Sequence, residues 1–568
     1  MNKKLKISKH YILNSLKNLK NLNFLTNILI YLLLLYILVD MKFLNIFCPH
    51  NMGFRKTVSY GKFPIFAFIV VCLLILPLTV TVALKLDNHV NVVSYPNISF
   101  DCKKTNGIIK PFSEINCGPL PIRSVKNSVD LTKRYQELGI KFVRTHDMDN
   151  TFGACDISSI FPNWSANPSF ESSYDFSNTD PYIIGIINAG CRVFYRLGES
   201  AGGPNIPPQN FSKWAEICKH IVMHYNDGWN NGFNFNITHW EIWNEPDLSG
   251  FWNGTAEQYY ELYGTTVKTL KSYNSSLKIG GPCTSSVDNI NFTSRFLEYV
   301  SSHGLPLDFF SWHMYADTPY QLYSASKKIR NLLDSYGFTE CENINTEWNL
   351  NILTPQRDKD NAKNAAFTSC CLTIFQDADI DYAFRYRGTQ DNNWLMRLIG
   401  FDLSLFTYDG VYKKPALSYL ALHHIIEDTP FRLNTSKIDP STGITSLAGI
   451  SEDKTNVSIL ISNYKQPDTP CTIEILNLPW TTSYNIVHYL IDDSHDLKVI
   501  EKIESNTTNF TLTKTIKQNT VHFIRLTNST IFPSEGPKTA DIPLILKLHF
   551  LDPLTRLLGI LILILISG

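Results

Sequence analysis

Between residues 100 and 430, short apolar runs alternate with longer amphipathic segments. Runs that can be buried on both faces, separated by helical segments, are the mark of a parallel sheet covered by helices. The strand runs are Lys141 to Thr145, Arg192 to Leu197, His239 to Trp243, Leu277 to Gly280, Asp308 to Trp312, Ile344 to Thr346 and Ile380 to Phe384. Helical periodicity marks 212–225, 256–273 and 319–336; in the first, Trp214, Ile217, Cys218 and Ile221 share a face. An opening strand near Leu120 brings the count to eight, the number that closes a (β/α)8 barrel.

Past residue 436 the helical period gives way to β-rich runs at 456–463, 471–476, 484–490, 510–513 and 520–526. Turn residues separate them, as in an antiparallel β-sandwich. The expected α/β organisation is a targeting or anchor region over 1–86, a barrel over 87–435 entered by an extended lead-in over 85–115, a β-sandwich domain over 436–530, and a hydrophobic tail over 531–568.

Phe63 to Leu84 runs 22 residues without a charge behind Arg55, Lys56 and Lys62. That is long enough for a bilayer core of ~30 Å, with its basic flank on the cytoplasmic side. Phe24 to Val39 is shorter and holds Asn27, so one signal-anchor or cleaved signal is expected, with Met52 as an alternative start. The apolar tail Leu557 to Ile566 follows small residues, in the manner of a lipid-anchor signal. Twelve Asn-x-Ser/Thr sequons all lie after the apolar segment Phe63 to Leu84, although eight Asn precede it. A membrane-anchored or secreted protein with a lumenal or extracellular body is the expectation. Ten of the twelve Cys fall in that body and could pair in such a compartment. The formal net charge of zero gives no field favouring nucleic acid. No His, Cys, Asp or Glu group has metal-ligand spacing, so neither metal nor cofactor is expected.

The strongest local signal is His239-Trp-Glu-Ile-Trp-Asn-Glu-Pro-Asp247, a strand that ends on a carboxylate and is stopped by Pro246. Barrel strands open into the active site at their C-terminal ends, so Glu245 is presented to a ligand. By strand alternation Glu241, Trp243 and Glu245 share a face, with Glu241 deeper as a paired, structural carboxylate. Asn345-Thr-Glu-Trp-Asn349 repeats the pattern 102 residues later, which puts Glu245 on strand four and Glu347 on strand seven. Two carboxyl groups in unlike surroundings are what glycosidic cleavage needs: one keeps a proton for the leaving oxygen, the other stays ionised. Arg144, at the end of an early strand, and His313 or Tyr315, on the strand before Glu347, are the groups that could set those states apart.

The ordered set Phe142-Val-Arg-Thr-His146, Tyr195-Arg-Leu-Gly198, Trp240-Glu-Ile-Trp-Asn-Glu-Pro246, Ile279-Gly-Gly-Pro282, Trp312-His-Met-Tyr315 and Asn345-Thr-Glu-Trp-Asn349 resembles glycoside hydrolase family 39. Lys413-Lys-Pro-Ala-Leu-Ser-Tyr419 resembles the segment that closes such barrels, and Tyr489-Leu-Ile-Asp-Asp-Ser-His495 is similar to a stretch of that family's sandwich domain. The family holds β-xylosidases and α-L-iduronidases. The resemblance implies Glu245 as acid/base, Glu347 as nucleophile, Asn244 on the sugar 2-hydroxyl, and His146, His313 and Tyr315 around the terminal sugar. It also implies carboxyl groups ~5–5.5 Å apart and retention of configuration on an oligosaccharide or glycoside. One departure stands out: where a Trp platform would end the last strand, the sequence reads Tyr382-Ala-Phe-Arg-Tyr-Arg387, with Trp394 in the loop beyond. Arg385 and Arg387, alternating on one face, would suit a substrate carboxylate. A β-xylosidase-like enzyme is thus the leading expectation, a uronidase the alternative, and a tethered, non-catalytic glycan-binding protein the reading from another class.

Overall fold

The structure, a computed structural model, describes residues 97–121, 128–148, 153–389, 400–407, 409–436 and 439–528. The expected anchor, the C-terminal tail and Trp394 lie outside them. Among the described residues no helix is long and apolar enough to cross a membrane.

Strand β1 (Asn97–Ile108) precedes eight parallel strands: β2 (Glu114–Asn116), β3 (Phe142–Arg144), β4 (Arg192–Leu197), β5 (His239–Ile242), β6 (Lys278–Thr284), β7 (Phe309–Ala316), β8 (Glu342–Leu350) and β9 (Tyr382–Arg385). They close into a barrel, with Ile115 of β2 in register with Arg385 of β9. The opening strand is thus Glu114–Asn116, not a run near Leu120. Inward residues near the strand starts fill the floor: Phe142, Phe194, Phe309, Ile344 and Phe384 form one buried cluster. With the floor packed solid, only the opposite end can hold a ligand.

Outside the barrel, the stripe Trp214, Ile217, Cys218 and Ile221 of helix Phe211–Asp227 is fully buried, as its periodicity requires. Asn210 caps that helix by accepting from the Lys213 amide (2.9 Å). Gly228, at φ 74°, takes the left-handed conformation that ends it.

The second domain is one continuous sheet that also contains β10 (Phe431–Thr435), β11 (Ile444–Ile450), β12 (Asn456–Asn463), β13 (Thr469–Leu476), β14 (Tyr484–Ile491), β15 (Asp496–Ser505), β16 (Phe510–Ile516) and β17 (Thr520–Thr527). Its order is β15-β14-β17-β12-β11-β10-β1-β13-β16. Strand β1 lies inside it, antiparallel to β10 and parallel to β13. The expected boundaries at 87 and 435 therefore need correcting. The segment read as a barrel lead-in is a sheet strand, β10 is sheet as well, and the second domain is built from both sides of the barrel in sequence.

One face of the sheet encloses its own core, with Ile98, Phe100, Leu433, Ile459, Ile473, Ile486 and Ile524. From the other, Leu447, Leu460, Val487 and Phe523 merge with the barrel core. The helices between are Ala362–Ile374 and Lys414–Asp428. Twelve of the thirteen residues of Ala362–Ile374 are buried, so it shows no amphipathic stripe; Ser369 on it accepts a hydrogen bond from Ser462 of β12 (2.6 Å). All ten Cys of the described residues are buried and free of disulfides.

Candidate active site

The alternation of β5 stops at Ile242, because Trp243 and Glu245 have positive φ (74° and 44°). Neither residue adopts that region readily, and such backbone concentrates where function over-determines geometry. The consequence is a redistribution of side chains that simple alternation does not give. Trp243 turns outward onto Trp214 and Trp252, with ring centroids 6.0 and 5.0 Å away. Glu241 stays inside, fully buried and bonded to Arg144 Nε (2.7 Å), the paired structural carboxylate expected of it. Glu245 is drawn to the mouth, its amide donating to the Cys283 carbonyl (3.0 Å).

Arg144, at the end of β3, is fully buried and organises the floor of this mouth. Nη1 donates to Asn116 Oδ1 and to Glu347 Oε1 (both 3.0 Å). Nη2 donates to Asn244 Oδ1 (2.7 Å) and to Cys283 Sγ (3.1 Å). A single guanidinium thus balances two buried carboxylates and fixes Asn244 with its amide nitrogen uncommitted.

Glu347 receives a second donor on Oε2, the Tyr315 hydroxyl (2.7 Å). His146 Nε2 lies 3.7 Å from Oε1 and His313 Nδ1 lies 3.6 Å from Oε2. Glu245 Oε1 meets the His313 Nδ1 (2.7 Å). One oxygen or nitrogen of each of Glu245, His313 and Glu347 lies within 4.8 Å of the others. Among the described residues that trio is the one group close enough to share a cation; the Arg144 guanidinium already supplies positive charge to Glu347.

Burial raises the pKa of both carboxyl groups. Glu245 is pushed up to about 8 by burial and by the carboxylates Asp247 and Asp147, against the pull of Arg144. Glu347 is also raised by burial, with Glu245 adding; His313, Arg144 and the Tyr315 hydroxyl oppose the rise. Burial, reinforced by Arg144, holds His146 well below its ordinary value and therefore neutral. Burial thus pushes both carboxyl groups toward their protonated forms, and the His313, Arg144 and Tyr315 groups around Glu347 resist that rise.

The model of the family described as "Glycosyl hydrolases family 39" matches residues 97–461, well over half of the chain. The chain belongs to glycosyl hydrolase family 39. It is 29% identical over 205 residues to a β-xylosidase of Caldicellulosiruptor saccharolyticus, covering 33% of this chain and 38% of that protein. Over 294 residues it is 23% identical to a β-xylosidase of Geobacillus stearothermophilus, covering 46% and 56%. It thus aligns with less than two thirds of either relative's length. A glucosidase from Croceicoccus marinus superimposes with a TM-score of 0.67 at 25% identity, over 77% of this chain and all of that one.

Within this family 39 chain the two arginines of the last strand part company. Arg385 is fully buried and points away from the mouth, toward helix Ala362–Ile374. It donates to Thr368 Oγ1 (2.8 Å) and Asn349 Oδ1 (3.1 Å) and lies 5.2 Å from the Trp348 ring centroid. It is no substrate ligand, which corrects the reading of it as a carboxylate binder. Strand β9 ends at Arg385, so the two-residue alternation does not carry on to Arg387. Arg387 donates from Nε to the Thr389 carbonyl (3.0 Å) and lies against the Tyr386 ring, 5.7 Å from its centroid.

Tyr386 takes the place where a Trp platform was sought. Its hydroxyl donates to Asp147 Oδ2 (2.7 Å), and its ring stands 6.3 Å from that of Tyr315. Asn116, Asp147, Cys283 and Tyr386 were not singled out by sequence. Each stands at or just after the C-terminal end of a barrel strand, or in β6 after its Gly-Gly-Pro, and that position was the available signal.

Proposed function

We propose that this family 39 protein is a retaining exo-glycosidase, β-xylosidase-like, with Glu347 as nucleophile and Glu245 as acid/base. The observation that carries the reading is the pair itself. One oxygen of each carboxyl group lies within 4.8 Å of the other, which supports the ~5–5.5 Å separation of a retaining pair over the ~6.5–9.5 Å of an inverting one. Glu347 attacks the anomeric carbon while Glu245, still protonated, gives its proton to the leaving oxygen. Water then enters as Glu245, now a base, takes its proton, and the glycosyl–enzyme ester is released. Asn244 offers its free amide nitrogen to the sugar 2-hydroxyl, a bond that strengthens as the oxocarbenium ion develops. His146, neutral and with Nδ1 unpartnered, receives another hydroxyl, and Tyr386 lines the terminal-sugar pocket.

A xyloside reading is supported by the two β-xylosidases among the relatives and by the placement of Arg385 outside the site. A uronide reading now rests on Arg387 alone. A panel of aryl pentosides, hexosides and uronides tests this: β-xylosides should react fastest, with the first-formed product keeping the anomeric configuration by NMR. Inversion would overturn the mechanism, and turnover of uronides alone would transfer the specificity to Arg387. No turnover of any member would favour a glycan-binding role.

The body is further proposed to face the lumen or exterior, behind the apolar segment 63–84 as anchor or cleaved signal. In support, Asn163, Asn253, Asn291, Asn434, Asn506 and Asn509 of the sequons are all exposed. Protein secreted from a eukaryotic host should shift in mobility on endoglycosidase treatment; an unshifted band would count against it.

A further inference from the structure

Cys283 follows Gly280-Gly-Pro282 in β6 with a left-handed φ of 58° and is fully buried beneath the catalytic pair. Its sulfur lies 2.9 Å from His313 Nε2, 3.1 Å from Arg144 Nη2, 3.4 Å from Asn244 Oδ1 and 3.6 Å from Thr346 Oγ1. Toward Arg144 the sulfur can only accept, because a guanidinium has no acceptor. The thiol has one hydrogen to give, and the nearest acceptor position is Nε2 of His313.

His313 is fully buried, and that burial keeps the ring neutral, so it holds one ring proton for two nitrogens. If the thiol donates to Nε2, the ring proton must sit on Nδ1. That nitrogen lies 2.7 Å from Glu245 Oε1 and 3.6 Å from Glu347 Oε2, so its hydrogen faces both carboxyl groups.

We propose that Cys283 is a positioning residue for the acid: its thiol keeps the ring proton of His313 on Nδ1, facing Glu245 Oε1, so that Glu245 carries its transferable proton on Oε2. Without the thiol, Nε2 takes the ring proton and Nδ1 becomes an acceptor. It then draws the Glu245 proton onto Oε1, turned toward the imidazole and away from the leaving oxygen. The inference rests on Glu245 being the acid.

Leaving-group dependence tests it, because an alkoxide needs the acid and a dinitrophenolate does not. kcat/KM is measured for alkyl and dinitrophenyl glycosides of the preferred sugar, with Cys283→Ala and Cys283→Ser. Cys283→Ala should lose at least about tenfold more on the alkyl glycoside, within the range of general-acid effects. Cys283→Ser, which keeps a donor, should recover most of that difference. Equal loss on both substrates, or Ser no better than Ala, overturns the proposal. Nitrogen NMR of histidine-labelled native protein gives a readout free of turnover and of variant folding: His313 Nε2 should be unprotonated, and a protonated Nε2 overturns the proposal. Glu245→Ala is run beside them. Selective loss there with none in Cys283→Ala overturns this inference alone; uniform loss in Glu245→Ala overturns the acid assignment beneath it.

Discussion

Arg144 shows how one residue ties stability to chemistry. Its guanidinium is the only cation bonded to both Glu241 and Glu347 among the described residues. Arg144→Met leaves two buried carboxylates without their partner, a change that costs about 3–5 kcal/mol. Urea unfolding should record that loss, and record more of it at pH 8 than at pH 5, because Glu347, already raised by burial and now without the opposing cation, is held protonated at the lower pH. Arg144 also restrains the pKa of Glu347, so in any folded variant the acid limb of kcat/KM should move to higher pH.

The native pH profile follows from the same site. On the proposed mechanism turnover needs Glu245 protonated, so kcat/KM should fall as pH rises through about 8. It needs Glu347 ionised, so it should fall again below a pH higher than an ordinary glutamate would give. A profile flat to pH 10 would contradict the first limb. Glu347→Gln should lower kcat by about a thousandfold or more, the scale seen when a covalent nucleophile is removed. Undiminished turnover by that variant would remove Glu347 from the mechanism.

Among the elements, those legible in sequence were the ones whose environment is uniform along their length. Lys141 to Thr145, Arg192 to Leu197 and Ile344 to Thr346 are short runs whose buried residues carry no helical period, and each overlaps a barrel strand. Helix Phe211–Asp227 has one face to the barrel and one to solvent, so its stripe was visible. Strand β2 was misplaced because it is three residues long and two of them, Glu114 and Asn116, are polar groups used inside the barrel. Glu245 and Glu347 stood out in sequence as carboxylates closing short strand-like runs, although β5 stops at Ile242 and β8 runs past Glu347 to Leu350. Arg385 was misread because it follows the inward Phe384 and so faces the covering helix; the alternation that paired it with Arg387 assumed a strand that had already ended.

The corrected place of Arg385 can be checked directly. Arg385→Met should lower stability through the lost bonds to Thr368 and Asn349, while the KM ratio of pentoside to uronide stays as in the native enzyme. A selective rise in uronide KM would return Arg385 to the site. The helix it braces is capped by Asn361, which accepts from the Lys363 amide (3.0 Å). Asn361→Ala should cost about 1 kcal/mol in urea unfolding.

At the scale of the molecule, the barrel and the sheet share a core rather than a linker. Leu447, Leu460, Val487 and Phe523 belong to the same buried cluster as the barrel helices, and β1 ties the residues ahead of the barrel to the sheet behind it. Residues 97–528 should therefore unfold in one cooperative transition; two well-separated calorimetric peaks would show independent domains. Removal of residues 97–108 should destabilise the sheet as much as removal of a strand at its own end of the chain. Sequence gave no sign of this, because pairing between β1 and partners more than 300 residues away leaves no local period.

That same strand sets a clock for the nascent chain. Strand β1 ends at Ile108, and its first partner begins at Phe431. The ribosome adds about 5–20 residues each second, so β1 waits roughly 15–65 s for that partner to be made. Throughout that interval Ile98 and Phe100 have no core to enter, and both backbone edges of the strand are open to any neighbouring chain. The barrel forms with this edge exposed beside it, and synthesis of the sheet is what finally covers it.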